Sequence, residues 1–259
     1  ILPGFDISVE ELVIDDLTLA GGIAGENAQR VNITGSAQVD DRRLLLDLDG
    51  RLGARDRVAL LVDAEPDGDD FDLALDASAA ADGPIAALAG LDAPLDMRVR
   101  GDGTWTQWDG ALLVRSEDER VAALQLTNRA GRFGLLGTVD PTVFLTGLPA
   151  EALGDKVALK GDIAIDNRVF DGTAIMAGRK VSLSAEGLVD LADNRADDLE
   201  MVVRVRDPAV LGDGIALRDT RLTATLDGSF DDLAIAHEAR VGELDIGGTV
   251  LTRLRQEGT

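Results

Sequence analysis

The stretch "FDISVEELVIDDLTLAG", residues 5–21, decides how the chain folds. Its apolar positions are Phe5, Ile7, Val9, Leu12, Ile14, Leu17 and Leu19, so successive steps are 2, 2, 3, 2, 3, 2. A helix asks for steps of three and four, and a regular half-buried strand for twos alone. The pattern predicts a strand whose phase slips twice by one residue. Each slip is expected to be a bulge or corner that resets the phase, so that the next apolar side chain again faces inward.

Outward from this stretch, alternation continues over nearly the whole chain. Val31, Ile33 and Val39 are followed by Leu44, Leu46 and Leu48, then by Leu73, Leu75 and Val99. Further along come Leu159, Ile163 and Ile165, then Val181 and Leu183, then Leu199, Met201, Val203 and Val205, and finally Leu222 and Leu226. Polar breaks such as "EPDGDD", "RSEDER", "ADNRADD" and "LGDG" separate the runs. Strands of this length and spacing, ~16 of them, predict an all-β protein in which neighbours in sequence are neighbours in the sheet. Two stretches read otherwise. "DGPIAALAGLDAP" has Pro84 near a helix start, Ile85, Leu88 and Ala89 on one face, and Gly90 as a stop; "LPAEALG", 148–154, makes a second short helix.

Gly35, Gly50, Gly101, Gly161 and Gly228 share the parity of the apolar residues around them, which places them on the inward face in mid-strand. An interior glycine weakens a strand. One reading gives the five a geometric use: a sharply bent strand has no room for Cβ on its concave side, and glycine relieves that. The other reading makes them markers of bulges or turn starts. Under the first, the fold is a long curled sheet, an open β-solenoid-like stack around an apolar interior groove. The recurring apolar-x-Gly-x-apolar unit reads as a degenerate repeat.

Composition narrows the function. The 259 residues carry a formal charge of −23, which argues against nucleic acid as a partner and against anionic lipid surfaces. Six Phe, two Trp and no Tyr are few fillers for a wide core, which favours a lined space over a closed one. Trp105 and Trp108 flank a break in phase and are expected to cover a rim or corner. With no cysteine there is no disulfide and no thiolate metal site. The longest charge-free run, Pro141 to Ala150, is ten residues, far short of a membrane span, so any anchor of a parent protein is expected outside this segment. The chain reads as one continuous domain, 1–259, with a weak subdivision near 140–155.

No nucleotide-loop, nucleophile-elbow or zinc-protease pattern is present, and His237, the lone histidine, reads as a surface residue in a polar run. The Asp-rich loops at 67–70 and 193–198 lack the order of an EF-hand and read as solvated turns. The expectation is therefore a protein that is not an enzyme and needs no cofactor or metal.

"FDISVEELVIDDLTLAG", "VRGDGTWTQWDGALLV", "AEGLVDL" and "ATLDGSFDDLAI" resemble the long periplasmic region of the TamB family, inner-membrane subunits of the translocation and assembly module within the AsmA-like group. The likeness spans essentially the whole chain. It implies a β-taco, a curled sheet with an apolar groove along the stack, in the periplasm of a Gram-negative bacterium, belonging to a parent anchored in the inner membrane. It further implies phospholipid acyl chains as cargo moving between inner and outer membranes, with the apolar residues named above as the lining. A TamA-like outer-membrane barrel would be met through regions outside this segment. The alternative it implies is a scaffold or chaperone module for outer-membrane protein assembly, working through exposed strand edges.

Overall fold

The computed structural model describes residues 6–20, 28–40, 42–88 and 93–259. Sixteen antiparallel strands form one unclosed sheet in sequence order, β1 to β16, consistent with a curled sheet. Two compact units divide it, Ile1–Ala130 and Gly131–Thr259. The first holds β1 (Ile7–Leu19), β2 (Gln29–Asp40), β3 (Arg43–Leu52), β4 (Asp56–Glu65), β5 (Asp70–Ala79), β6 (Leu95–Gly103), β7 (Gln107–Ser116) and β8 (Glu119–Arg129). The second holds β9 (Arg132–Val139), β10 (Val157–Asp166), β11 (Val169–Ala177), β12 (Val181–Asp190), β13 (Arg195–Val205), β14 (Ile215–Ser229), β15 (Asp232–Ile246) and β16 (Thr249–Gly258).

Both slips of the opening stretch are bulges. Val9 lies opposite Ala37 and Leu12 opposite Gly35, so β1 spends three residues where β2 spends two. The same happens between Ile14, opposite Ile33, and Leu17, opposite Val31. Inside the second bulge Asp16 takes a left-handed conformation, φ 56°, and its N–H donates to Oδ1 of Asn32 at 2.9 Å. A third bulge follows the same logic in β13, where Ala196 and Leu199 face Gly228 and Leu226, and Asp198 has φ 45°. Phe5 and Gly21 of the opening stretch lie outside the described residues.

The helix expected at 84 is there as α1 (Pro84–Leu88), and the one at 148 as α2 (Leu148–Leu153). The stop expected at Gly90 falls outside the described residues. Two 3₁₀ turns, Pro141–Val143 and Pro208–Leu211, were not legible in the hydrophobic pattern; each is opened by an aspartate, Asp140 or Asp207, whose carboxylate accepts a backbone N–H two residues on. These pieces reveal a longer period. β1, β5, β9 and β13 begin at residues 7, 70, 132 and 195, at intervals of 63, 62 and 63. Each is followed by the one long connection in its group of four strands, while the remaining turns are tight. The chain is a fourfold repeat of four strands, and in each unit its long connections leave the sheet at one edge.

Burial is deep at that edge, and Ala64 and Ala196, each 1% exposed, match it at the other end of the strands. Ala86 in α1 and Val157 just after α2 are fully buried, and Val210 in the second 3₁₀ turn and Ala152 in α2 nearly so. Beneath α1 lies Asp56, 1% exposed, whose two oxygens accept the N–H groups of Ala80 and Ile85, both at 2.8 Å. It caps a helix 29 residues away in sequence. Asp56→Ala leaves two donors unsatisfied at a dry site and is expected to lower stability on the order of 3 kcal/mol by urea denaturation, with Asp56→Asn losing less because one acceptor remains.

Four of the five in-strand glycines occupy the second strand of their repeat: Gly35, Gly101, Gly161 and Gly228 lie in β2, β6, β10 and β14, and Gly50 lies in β3. At two of them a Cβ has no room. A Cβ on Gly35 would overlap the carbonyl oxygen of Asp47 on the next strand, and one on Gly101 would overlap the ring of Trp108. At Gly50 and Gly161 there is room: a Cβ there would sit 3.6 Å from the Val58 carbonyl oxygen and 3.7 Å from Leu135 Cβ, ordinary contacts. Gly228 has φ 111° and lies beside the β14–β15 turn. Accordingly Gly35→Ala should cost about 2 kcal/mol or more in a thermal or urea melt. Gly50→Ala and Gly161→Ala should stay within about 1 kcal/mol of the parent, on the stabilising side.

Candidate functional site: a continuous apolar face

Cross-strand partners in a sheet share a face, so the register alone shows which side chains lie together. In the first unit one row runs from Leu12 through Gly35, Leu48, Leu60, Leu75, Val99 and Leu112 to Leu124 without a polar residue. The row beside it runs from Ile14 through Ile33, Gly50, Val58, Ala77, Met97 and Val114 to Ala122. In the second unit Gly137, Leu159, Met176, Leu183, Val203, Leu222 and Ala239 are successive partners. A parallel row from Leu135 through Gly161, Ala174, Ala185, Met201 and Ala224 ends on His237. The histidine read as a surface residue is thus half-buried on the apolar face, its ring 3.0 Å from the Gln256 amide. Strand parity at 237 carried that signal, and the polar neighbours of His237 hid it.

This face is lined and not sealed. Of the twenty residues expected along it, Val31 is buried, Ile165 and Leu222 are exposed at 39% each, and the other seventeen are half-buried. Among the described residues thirteen apolar side chains besides proline are buried, and Leu124 is the one larger than valine. A sandwich of this length would bury dozens of large aliphatic side chains between two sheets.

At the β6–β7 end the face is bordered by aromatic rings. Gly101 and Gly110 are opposite one another, and the indole of Trp108 fills the space that both their Cβ atoms would need. Phe71 lies 6.2 Å from Trp108 and stacks on Trp105 at 4.4 Å and 27°. The turn carrying Trp105 is held by Asp69, which accepts from the Trp105 N–H at 3.0 Å and the Thr106 hydroxyl at 3.2 Å. One of the four residues of the Asp-rich 67–70 loop is therefore a fixed acceptor and not merely solvated. Trp105 is 43% exposed, and Nε1 of Trp108 is buried without a hydrogen-bond partner.

The opposite face is charged. A cleft of about 730 Å³ opens on it in the first unit, bordered by Asn32, Asp49, Arg51, Arg57, Asp76 and Ser78 among others. Ion pairs cross its strands: Asp76 receives Arg98 and Arg100, Arg129 reaches Asp109 at 2.6 Å, and Glu238 receives Arg255 from β16 as well as Arg240 from its own strand. Hydrogen bonding from the Arg43 guanidinium holds the Asp63 carboxyl below the usual carboxylate range. Among the described residues no helix is long and apolar enough to cross a membrane.

No protein-family model matches the chain, nor does any curated protein or solved structure.

A carboxyl depressed on folding contributes stability that is present above its unfolded pKa and lost as pH falls through its folded one. The Asp63 contribution is therefore intact at neutral pH and disappears on the acid side. In a carboxyl NMR titration Asp63 is expected to titrate below the ordinary aspartate range, and Arg43→Gln should return it to that range.

Proposed function

We propose that the apolar face binds phospholipid acyl chains and conducts phospholipid between the inner and outer membranes, as a periplasmic segment of a TamB-like protein anchored in the inner membrane. The observation that carries this reading is the set of uninterrupted apolar rows whose large side chains stay half-exposed. Exposing the tails of a diacyl lipid, roughly thirty methylenes at about 0.8 kcal/mol each, costs on the order of 24 kcal/mol. An apolar lining removes most of that cost. Eight strands at about 4.8 Å give each unit a lining about 34 Å long. Within it Leu, Ile, Val, Met and Ala predominate, with one glycine in each row, and offer no single deep pocket, so a chain can slide with little change in energy from one position to the next. The chain's excess of carboxylates disfavours adhesion of anionic lipids along the outside.

The test is lipid occupancy read against folding. Purified protein should yield phospholipid on organic extraction, and phospholipid brominated on its acyl chains should quench tryptophan fluorescence through Trp108. Leu46→Asp and Val203→Asp, one in each unit, should lose most of the bound lipid while keeping a cooperative thermal transition. If both variants unfold outright, these residues belong to a sealed core and the conduit reading fails. Delipidated protein that takes up no lipid and shows no quenching sinks it as well.

A further inference from the structure

On the charged face Asn32, Arg51, Arg57 and Ser78 are successive cross-strand partners on β2, β3, β4 and β5. Arg51 and Arg57 are therefore directly opposite, with Cβ atoms about 5 Å apart, and like charges in that position destabilise a sheet. Among the described residues neither guanidinium makes an ion pair or a side-chain hydrogen bond, although carboxylates outnumber cationic residues 48 to 25 in this chain. Several arginines on this face of the unit are paired, Arg43 with Asp63, Arg98 and Arg100 with Asp76, Arg129 with Asp109, while Arg115 and Arg120 repeat the unpaired opposition farther along the same row, away from this cleft. Asn32 spends its carbonyl oxygen on the Asp16 N–H, which leaves its amide group as a donor, and the Ser78 hydroxyl ends the run. All four border the cleft of about 730 Å³. A run of amide, two guanidinium forks and hydroxyl has the donor set that holds a phosphate by charge-assisted hydrogen bonds.

The carboxylates around it decide what else the ligand carries. Asp49 and Asp96 border the same cleft, Asp96 as the cross-strand partner of Ser78 and Asp49 two residues before Arg51. Neither forms an ion pair with Arg51 or Arg57. A polyanion would bring its outer charges against them. A compact ligand with a phosphate at one end and an ammonium at the other puts each charge beside its complement. We propose that this cleft binds a small phosphate ester bearing an ammonium group, its phosphate bridged by Arg51 and Arg57. The proposal is independent of the conduit reading, since it concerns the other face of the sheet.

Calorimetric titration of the whole chain with O-phosphoethanolamine tests it, with inorganic phosphate and ATP as comparators at low salt. Binding of O-phosphoethanolamine at least tenfold tighter than of either comparator is expected, with a loss of at least tenfold in Arg51→Gln and in Arg57→Gln. Without ligand both variants should melt higher than the parent, because each removes the like-charge opposition. A lower melting temperature would make the pair structural and overturn the proposal, as would O-phosphoethanolamine binding that survives both substitutions. Equal affinity for inorganic phosphate overturns the ammonium requirement. Vesicles containing phosphatidylethanolamine, set against vesicles of phosphatidylcholine and phosphatidylglycerol, separate the sources. Selective retention by the first, lost in Arg57→Gln, assigns the site to a lipid headgroup, and binding of the soluble ester alone assigns it to a free metabolite.

Discussion

Strand register is the constraint on which the rest of this molecule depends. Side chains alternate with a period of two, so one uncorrected residue in any strand would turn its apolar set to the charged face. The bulges after Val9, after Ile14 and at Asp198 are three such corrections, and a further bulge lies at Val121 in β8. Each of the three inserts one residue on one strand only, and each returns the next leucine to the apolar row. The cost is a strained left-handed residue, Asp16 or Asp198, at two of the three. Asp16 is secured by a neighbouring strand's asparagine, so the correction is built from side chains on both strands.

With register fixed, the distribution of burial follows. The connections that carry α1, α2 and the second 3₁₀ turn bring buried residues to one edge of each unit, Ala86 over Asp56 in the first and Ala152 and Val210 in the second. Because the helical pieces pack at the edge, the middle of the sheet needs no second sheet over it. This reconciles a well-ordered backbone ladder with a face whose leucines stay half-exposed. A second layer would have hidden those leucines and demanded aromatic or other bulky fillers, which a chain with six phenylalanines and two tryptophans does not have. Three of those eight, Phe71, Trp105 and Trp108, are gathered at one border of one unit.

Much of this was legible in the sequence, because periodicity is a local property and this fold is built from local pairings. The steps of three in residues 5–21 mark the bulges, and Pro84 and Pro149 mark the helices. What escaped needed contacts distant in sequence. Asp56 is one carboxylate among 48 and is distinguished only by a helix that closes over it 29 residues later. Gly50 and Gly161 look like Gly35 and Gly101 by parity, and only the position of the neighbouring strand's atoms separates those that must lack a Cβ from those that need not. The repeat of about 63 residues was hidden because its copies share the order of strands and the place of the long connection and not the residues or element lengths within them.

The two faces specify one register by different means. On the apolar side a slip would expose leucines; on the charged side it would pull Arg129 from Asp109 and Arg218 from Glu243, pairs that lie across neighbouring strands. Exposed pairs of this kind add little stability one at a time. Their larger effect is on alternatives, since a shifted strand would lose them and gain repulsions among an excess of carboxylates. Against that background directly opposed arginines, Arg51 with Arg57, Arg115 with Arg120, and Arg204, Arg221, Arg240 and Arg255 in succession, are placements that the sheet's own logic opposes, and of these Arg51 and Arg57 border the cleft of about 730 Å³. A glutamate or threonine at either position would satisfy register, propensity and charge together. An arrangement that local stability disfavours, placed where a cleft opens, is the kind of departure expected where a surface is shaped for something other than its own folding.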